Sequence, residues 1–284
     1  MVTYNYDEAY KRNIGLLTEE EQEKVKRFVI AIPGMGGVGG AHLIALVRQG
    51  FQNFRVADMD EYEIKNFNRQ YGATMDTVGM DKAKVMKQKA LEINPNCNIK
   101  VYNKGINDGN LDEFLHGADI AIDGLDFFEV DIRQKYYNAA LKKGLYLITA
   151  GPIGFSVGAL IFNPKKSYNF NNYFDVNDST PYEKKLLHFA LGLTPSLLQK
   201  TYMKKVSLKD KVGPSSIAAV NLCSGFVVVT TLKILLNWGD LKEVPYYHQF
   251  DVRRNIYVCK KNYFGNKNPI QKLKLKVAEK IFNS

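Results

Sequence analysis

Gly34, Gly36, Gly37, Gly39 and Gly40 follow the apolar run Phe28–Ile32 and lead into the helix-like stretch Ala41–Gln49. Bare backbone at such positions lets peptide N–H groups approach a phosphate, and a helix that starts there adds the positive end of its dipole. Gly34, Gly36 and Gly39 fit G-x-G-x-x-G, and Asp58 closes the next apolar run 24 residues after Gly34, placed to hold ribose hydroxyls. The pattern points to a nucleotide. It does not separate NAD from ATP.

The next block does. "DMDEYEIKNFNRQ", residues 58 to 70, contributes Asp60, Asn66, Arg69 and Gln70, and "VGMDKAK" contributes Lys82. A dinucleotide's pyrophosphate carries less charge than a triphosphate, and glycine amides with a helix dipole cope with it. Two further cations suit a triphosphate, both in binding and as charge moves onto departing pyrophosphate.

The elements that must position these residues alternate. "FVIAI", "FRVAD", "NIKVYN", "ADIAIDG" and "LYLITAG" read as short buried strands. "AHLIALVRQG", "MDKAKVMKQKALEIN" and "DIRQKYYNAALKKG" read as helices, the first closed by Gly50 and the second ended by Pro95. Residues 16 to 27 form a further helix opened by Thr18. Strands apolar on both faces, alternating with helices, predict an α/β Rossmann-like fold with a doubly wound, mainly parallel sheet. Past Pro164 the rhythm changes to a helical insert, an apolar helix within 216–238, and late antiparallel strand material in "QFDVRRNIYVC".

The chain has 284 residues, 45% hydrophobic and 24% charged, which is ordinary for a globular protein with a real core. Cys97, Cys223 and Cys259 are far apart and odd in number, which argues against a disulfide framework and for a cytoplasmic setting. No CxxC pair is present, so no structural zinc is expected. The start lacks an apolar stretch behind a basic leader, and the 216–238 segment carries Asn221, Ser224, Gly225 and Lys233; neither a secretion signal nor a membrane span is expected. Net charge is +10, and residues from 252 onward supply nine Lys or Arg against Glu279 alone. That tail reads as a solvated end, or as a surface for an acidic partner or nucleic acid. Within it Ile270, Leu273, Val277 and Ile281 fall on one helical face, fit to dock on the protein's own body or on a partner.

In order, "GMGGVG", "DMD" leading to "NFNRQ", "VGMDKAK", "EINPN", "DGLD" and "AGPIGFSVG" resemble the ubiquitin-activating-enzyme-like adenylyltransferases, the ThiF/MoeB/HesA family. The likeness is close over residues 8 to 165 and loose beyond. It implies ATP at Gly34, Gly36, Gly37 and Gly39, its ribose at Asp58 with Asp60 beside it, and Asn66 and Gln70 at the nucleotide. Arg69 and Lys82 would hold the triphosphate, and Asp126 in "IDGLDFF" would hold Mg2+. Phe127 stands where the family has Asn. "AYKRNIGLL" resembles the family's R-Y-x-R-Q segment, which makes Arg12 a finger reaching the other subunit of a homodimer, although Asn13 replaces the usual Gln.

The resemblance further implies attack of a substrate carboxylate on the α-phosphorus of ATP. The substrate would be the C-terminus of a ubiquitin-like or sulfur-carrier protein, a peptide, or a modified tRNA base. None of the three cysteines falls in the crossover between Pro164 and Gly213, so no obligatory enzyme thioester is expected. His42 and His188 read as core or surface residues. The expected organisation is an N-terminal arm, 1–28, an adenylation core, 29–164, a helical crossover insert, 165–213, and a C-terminal part, 214–284, completing the same domain. The insert carries Tyr168, Phe170, Tyr173, Phe174, Tyr182, Lys204 and Lys205, and either shapes an acyl groove or covers the sheet. Two other readings stand beside this one: an NAD-dependent oxidoreductase, and a non-catalytic subunit of a heterodimeric activating enzyme.

Overall fold

The computed structural model describes residues 3–206 and 213–282, without the side chains of 203–205 and 281–282. The side chains of Lys204, Lys205 and Ile281, and positions 207–212 of the insert, lie outside the described residues. By contacts the chain forms two units: residues up to Leu125 with Ser224–Leu241, and Asp126–Cys223 with residues from Lys242 on.

The first unit opens with α1 (Tyr6–Tyr10), a 3-10 turn (Lys11–Asn13) and α2 (Glu19–Val25). Thr18 and Glu21 form a reciprocal capping box at the start of α2. β1 (Val29–Pro33), α3 (Gly37–Gln49), β2 (Asn53–Ala57), α4 (Lys82–Ile93), β3 (Asn98–Tyr102), α5 (Leu111–Leu115) and β4 (Ile120–Asp123) follow. The strands are parallel in the order β3-β2-β1-β4. The chain moves outward from β1 through β2 to β3, then returns to lay β4 on the other side of β1. That reversal is the switch point of a doubly wound sheet, where the carboxyl ends of β1 and β4 leave a crevice. Ile30, Ala31, Ile32, Ile120, Ala121 and Ile122 are fully buried there, as strands apolar on both faces require.

In the second unit α6 (Val130–Lys142) precedes β5 (Tyr146–Ile153) and β6 (Ser156–Phe162). Then come α7 (Phe170–Phe174), α8 (Tyr182–Leu193), a 3-10 segment (Leu198–Lys205) and α9 (Ile217–Leu235), which runs on into the first unit. β7 (Tyr246–Asp251), β8 (Ile256–Lys261) and α10 (Pro269–Phe282) complete the order. β5 to β8 are antiparallel neighbours in sequence order. The late strand material is a hairpin: "QFDVRRNIYVC" breaks at Val252–Asn255, where Asn255 takes a left-handed turn conformation. β6 is a strand that the sequence motif "AGPIGFSVG" does not announce. All seven of its residues are buried, so it shows no alternation, and Gly158 lets Leu193 and Thr194 pack against its backbone.

α9 is long and apolar enough to cross a bilayer by length and composition alone, yet Ala219, Val220, Cys223, Val227 and Thr231 are buried in the protein. On α10, Ile270, Leu273 and Val277 face solvent, while Leu275 packs with Leu187 and Leu191 of α8. The helix docks on its own body through the side opposite to the one the expected face uses.

Candidate functional site

Gly34 closes β1 with φ at +86° and donates its N–H to the carbonyl of Ala57 at the end of β2. A Cβ on Gly34 would run into the backbone of Gly124, which follows β4, and a Cβ on Gly39 would run into the Gly34 carbonyl. These three glycines let the β1–α3 turn and the end of β4 pack backbone to backbone. Gly36 differs: the nearest atom to a Cβ there is the amide nitrogen of Gln70, at 3.6 Å. Unlike Gly34 and Gly39, Gly36 would carry a Cβ at ordinary contact distance, and α3 presents its N-terminus immediately after, from Gly37.

Gln70 is buried, and its side-chain carbonyl oxygen has no hydrogen-bond partner. A buried amide oxygen without a donor is costly in a finished core, and is expected where a hydroxyl or amine of a ligand will supply one. Asn66, four residues earlier, is buried and accepts the Glu63 N–H, closing the 3-10 turn Ile64–Asn66. It shapes the loop that carries Gln70.

Asp58 leaves β2 with its carboxylate turned onto the glycine loop: Oδ2 accepts the Met35 N–H at 2.6 Å and Oδ1 accepts the Asp60 N–H at 2.9 Å. Burial pushes its carboxyl upward, against the two backbone donors and the ammonium of Lys82. Each oxygen keeps acceptor capacity for a hydroxyl. Lys82, the first residue of α4, is buried, with Nζ 3.0 Å from Asp60 Oδ2. Its backbone N–H also bonds the Asp60 carbonyl. A shielded ammonium thus meets a carboxylate side chain that is itself 62% exposed.

Arg69 is half-buried and its Nη1 donates to the Lys65 carbonyl and to Asn68 Oδ1. It is folded back on its own loop. Arg12 is exposed on the Lys11–Asn13 turn. The arm that carries it is pinned to the C-terminal end of α3 by Tyr6 OH on the Gly50 carbonyl, Tyr10 OH on the Val47 carbonyl and Asn13 Nδ2 on the Gln49 carbonyl. Asn13, where the family pattern has Gln, thus has a structural task. Asp126 belongs to the second unit; it is exposed, and Oδ1 accepts the Phe128 N–H at 3.0 Å. Asp123 is buried on β4 and accepts the Leu125 N–H.

The remaining reactive side chains are quiet. His42 is buried with Nδ1 3.0 Å from Ser224 Oγ, and burial holds its pKa down at about 3. His188 is buried against the Phe174 carbonyl, and burial lowers its pKa as well. Burial pushes the Cys97 thiol up to about 12 and raises that of Cys223.

Sequence reasoning quoted Gly124 within "DGLD" without giving it a role, although the glycine loop requires its bare backbone. It also missed Tyr6 and Tyr10, since tyrosines on a short helix carry no spacing signal for a distant carbonyl.

Residues 10–269 match the model of the ThiF family. The chain belongs to the ThiF family. Among curated proteins, it is 36% identical over 130 residues to a probable molybdopterin-synthase adenylyltransferase of Porphyra purpurea, covering 44% of this chain and 34% of that protein. It is 32% identical over 151 residues to the tRNA threonylcarbamoyladenosine dehydratase of Haemophilus influenzae, covering 53% of this chain and 57% of that one. The chain therefore spans between a third and somewhat over half of these relatives. Among solved structures, Escherichia coli MccB with ATP aligns at a TM-score of 0.64 and 17% identity over 89% of this chain and 69% of that one. PaaA aligns at 0.68 and 17% identity over 92% and 74%. At such identity these two establish a shared fold. The α/β Rossmann-like architecture with late antiparallel strands is thus shared with MccB and PaaA.

Proposed function

We propose that this chain transfers AMP from ATP to a substrate carboxylate. A carboxylate oxygen attacks the α-phosphorus, the bond from that phosphorus to the bridging oxygen of the β-phosphate breaks, and pyrophosphate leaves. The observation that carries the reading is Gly36, just before the α3 N-terminus, where a Cβ would meet only the Gln70 side-chain amide at ordinary contact distance, and the amide oxygen of Gln70 is buried without a partner. Asp58 fixes the loop through Met35 and keeps acceptor capacity for ribose hydroxyls. Lys82 is held by Asp60 until phosphate replaces that carboxylate, and Arg69 swings from the Lys65 carbonyl to join it. Positioning and cationic charge do the catalytic work, without a protein nucleophile.

Mg2+ fits Asp126, an exposed carboxylate on the chain leaving β4. Asp126 spends Oδ1 on the Phe128 N–H and keeps Oδ2 for a hard cation. Such an ion takes most of its ligands from phosphate and water. A divalent cation when bound would supply positive charge to offset phosphate oxygens.

The assembly we propose is a homodimer in which Arg12 reaches the partner's triphosphate. Support comes from the segment between β2 and α4, where Met59, Ile64, Met75 and Met80 are each more than half exposed, an apolar surface that a second copy would cover. Cys97 and Cys223 are buried with raised thiols and Cys259 is half-buried on β8; in the proposed reaction the acyl group passes to an external acceptor without an obligatory enzyme thioester. The free cysteines support a proposed reducing, cytoplasmic setting.

The acyl substrate is the C-terminus of a ubiquitin-like or sulfur-carrier protein, or a peptide. Structures of MccB with MccA, at a TM-score of 0.69, give precedent on this fold. A second reading, a carboxylate on a tRNA base, draws on the relatives named tRNA threonylcarbamoyladenosine dehydratase and on the basic tail.

The test has two arms. ATP, and not NADH, raises the melting temperature of the purified protein. Labelled pyrophosphate then enters ATP when a peptide or carrier-protein carboxylate is supplied, and stays out with tRNA. Stabilisation by NADH alone would overturn the reading, and exchange driven by tRNA would move the substrate to the second one.

A further inference from the structure

Helix α8 lays three side chains at i, i+3 and i+7 along the segment that carries Asp126. Tyr182 OH donates to the Phe128 carbonyl at 2.9 Å. Lys185, 7% exposed, sets Nζ 2.7 Å from Asp131 Oδ1. Phe189, buried, places its ring 5.9 Å from that of Phe127, which itself meets Phe128 edge-on. The spacing puts all three on one face of the helix.

From the other side comes Arg133 of α6, 2% exposed. Its Nη2 donates to the Asp126 carbonyl at 2.8 Å and its Nη1 to the Phe127 carbonyl at 3.1 Å, while the guanidinium lies 4.5 Å from the centre of the Phe189 ring. A buried guanidinium spent on backbone carbonyls of one short loop is a costly arrangement, and its effect is to fix that backbone. The Asp126 carboxylate gains its orientation from the same loop, through the Phe128 N–H. Phe127, where the family pattern has Asn, is the contact through which Phe189 and the loop meet.

We infer that α8 and Arg133 form a clamp that fixes the loop of Asp126 and holds its carboxylate ready for a divalent cation, which gives the helical insert a task in positioning that ligand. Tyr182, Lys185, Phe189 and Arg133 are positioning residues. The inference rests on the reading of Asp126 as a metal ligand, and goes beyond it by naming what holds the ligand.

The test uses the full chain with Mn2+ and the ATP analogue AMPCPP. Free Mn2+ is followed by electron paramagnetic resonance, and amide exchange over residues 124–131 is followed without metal. Arg133→Met, Phe189→Leu and the milder Tyr182→Phe speed exchange in that segment. The first two weaken Mn2+ binding in the nucleotide complex by about tenfold to a hundredfold, the range for lost outer-shell support of a ligand. Arg133→Lys restores part of the loss. Leu187→Ala, on the face of α8 that meets Leu275, lowers the melting temperature and leaves Mn2+ affinity alone. Asp126→Asn separates the two claims. If it weakens Mn2+ and the clamp variants do not, the clamp is overturned while the ligand stands. If it leaves Mn2+ unaffected, the ligand reading falls. Loss in Leu187→Ala equal to that in Arg133→Met would reduce the clamp to general packing and overturn it. Tyr182→Phe removes only a hydroxyl, so a folded variant is available for the exchange measurement.

Discussion

A methyl group on Gly39 would occupy the place already taken by the carbonyl oxygen of Gly34. Neither can easily give way, because one is backbone of the turn that leaves β1 and the other sits in the first turn of α3. Gly39→Ala is therefore expected to cost about 3 kcal/mol or more, the upper range for overpacking, and to show as a lowered denaturant midpoint. Gly36→Ala meets only ordinary contacts in the free protein. It should cost less stability than Gly39→Ala and lose ATP binding by calorimetry. Equal damage from both would mean that Gly36, too, is there for packing.

Lys82 and Asp60 should answer substitution with opposite signs. Lys82→Met removes a charge-assisted contact to phosphate worth about 1.5–3 kcal/mol, a loss of at least about tenfold in ATP affinity. Asp60→Asn removes a carboxylate that competes for the same ammonium at 3.0 Å, so ATP binds more tightly at low salt. Its effect on stability stays under about 1 kcal/mol, because the Asp60 side chain is 62% exposed. Weaker ATP binding in Asp60→Asn would instead give Asp60 a direct place at the nucleotide.

Arg12 makes a prediction about two chains. Arg12→Ala abolishes pyrophosphate exchange, and so does Lys82→Met. An equal mixture of the two regains activity toward roughly a quarter of the wild-type sites, the share in which an intact pocket meets an intact Arg12 in a two-fold dimer. An inert mixture of chains that do exchange partners would place the arginine in its own subunit's site or remove it from the chemistry.

His42 sets an acid limit. Its folded pKa of about 3 lies below the ordinary 6.5, so the unfolded chain binds the extra proton between those values. Stability is full above about pH 6.5 and is lost as pH falls toward 3, with about 2 kcal/mol gone by pH 5. His42→Asn cannot titrate and should flatten the melting-temperature profile between pH 7 and 5. An unchanged slope would assign the acid sensitivity to other groups.

How much of this was legible beforehand varies by element. The strands β1 to β5 and the helices α3, α4 and α6 followed from apolar runs and caps, because each is decided within its own few residues. β6 escaped, since a strand buried on both faces and interrupted by Gly158 has no period to read. The outward face of α10 escaped for another reason. Its apolar residues fall into two stripes, and only the neighbours Leu187 and Leu191 select which one is buried. At the site, the residue types were plain, yet Lys82 sits on Asp60 and Arg69 on Lys65, arrangements that no spacing rule contains.

The sequence by itself determined the alternating architecture, the glycine turn after β1 and the inventory of cations and carboxylates, because periodicity, capping and backbone freedom are local properties. Tertiary structure alone decided that Gly34 and Gly39 serve packing against Gly124 while Gly36 meets only the Gln70 side chain, and that α8 grips the loop of Asp126. Those outcomes depend on which distant backbones come into contact, and contact between distant segments is set by the whole fold settling at once.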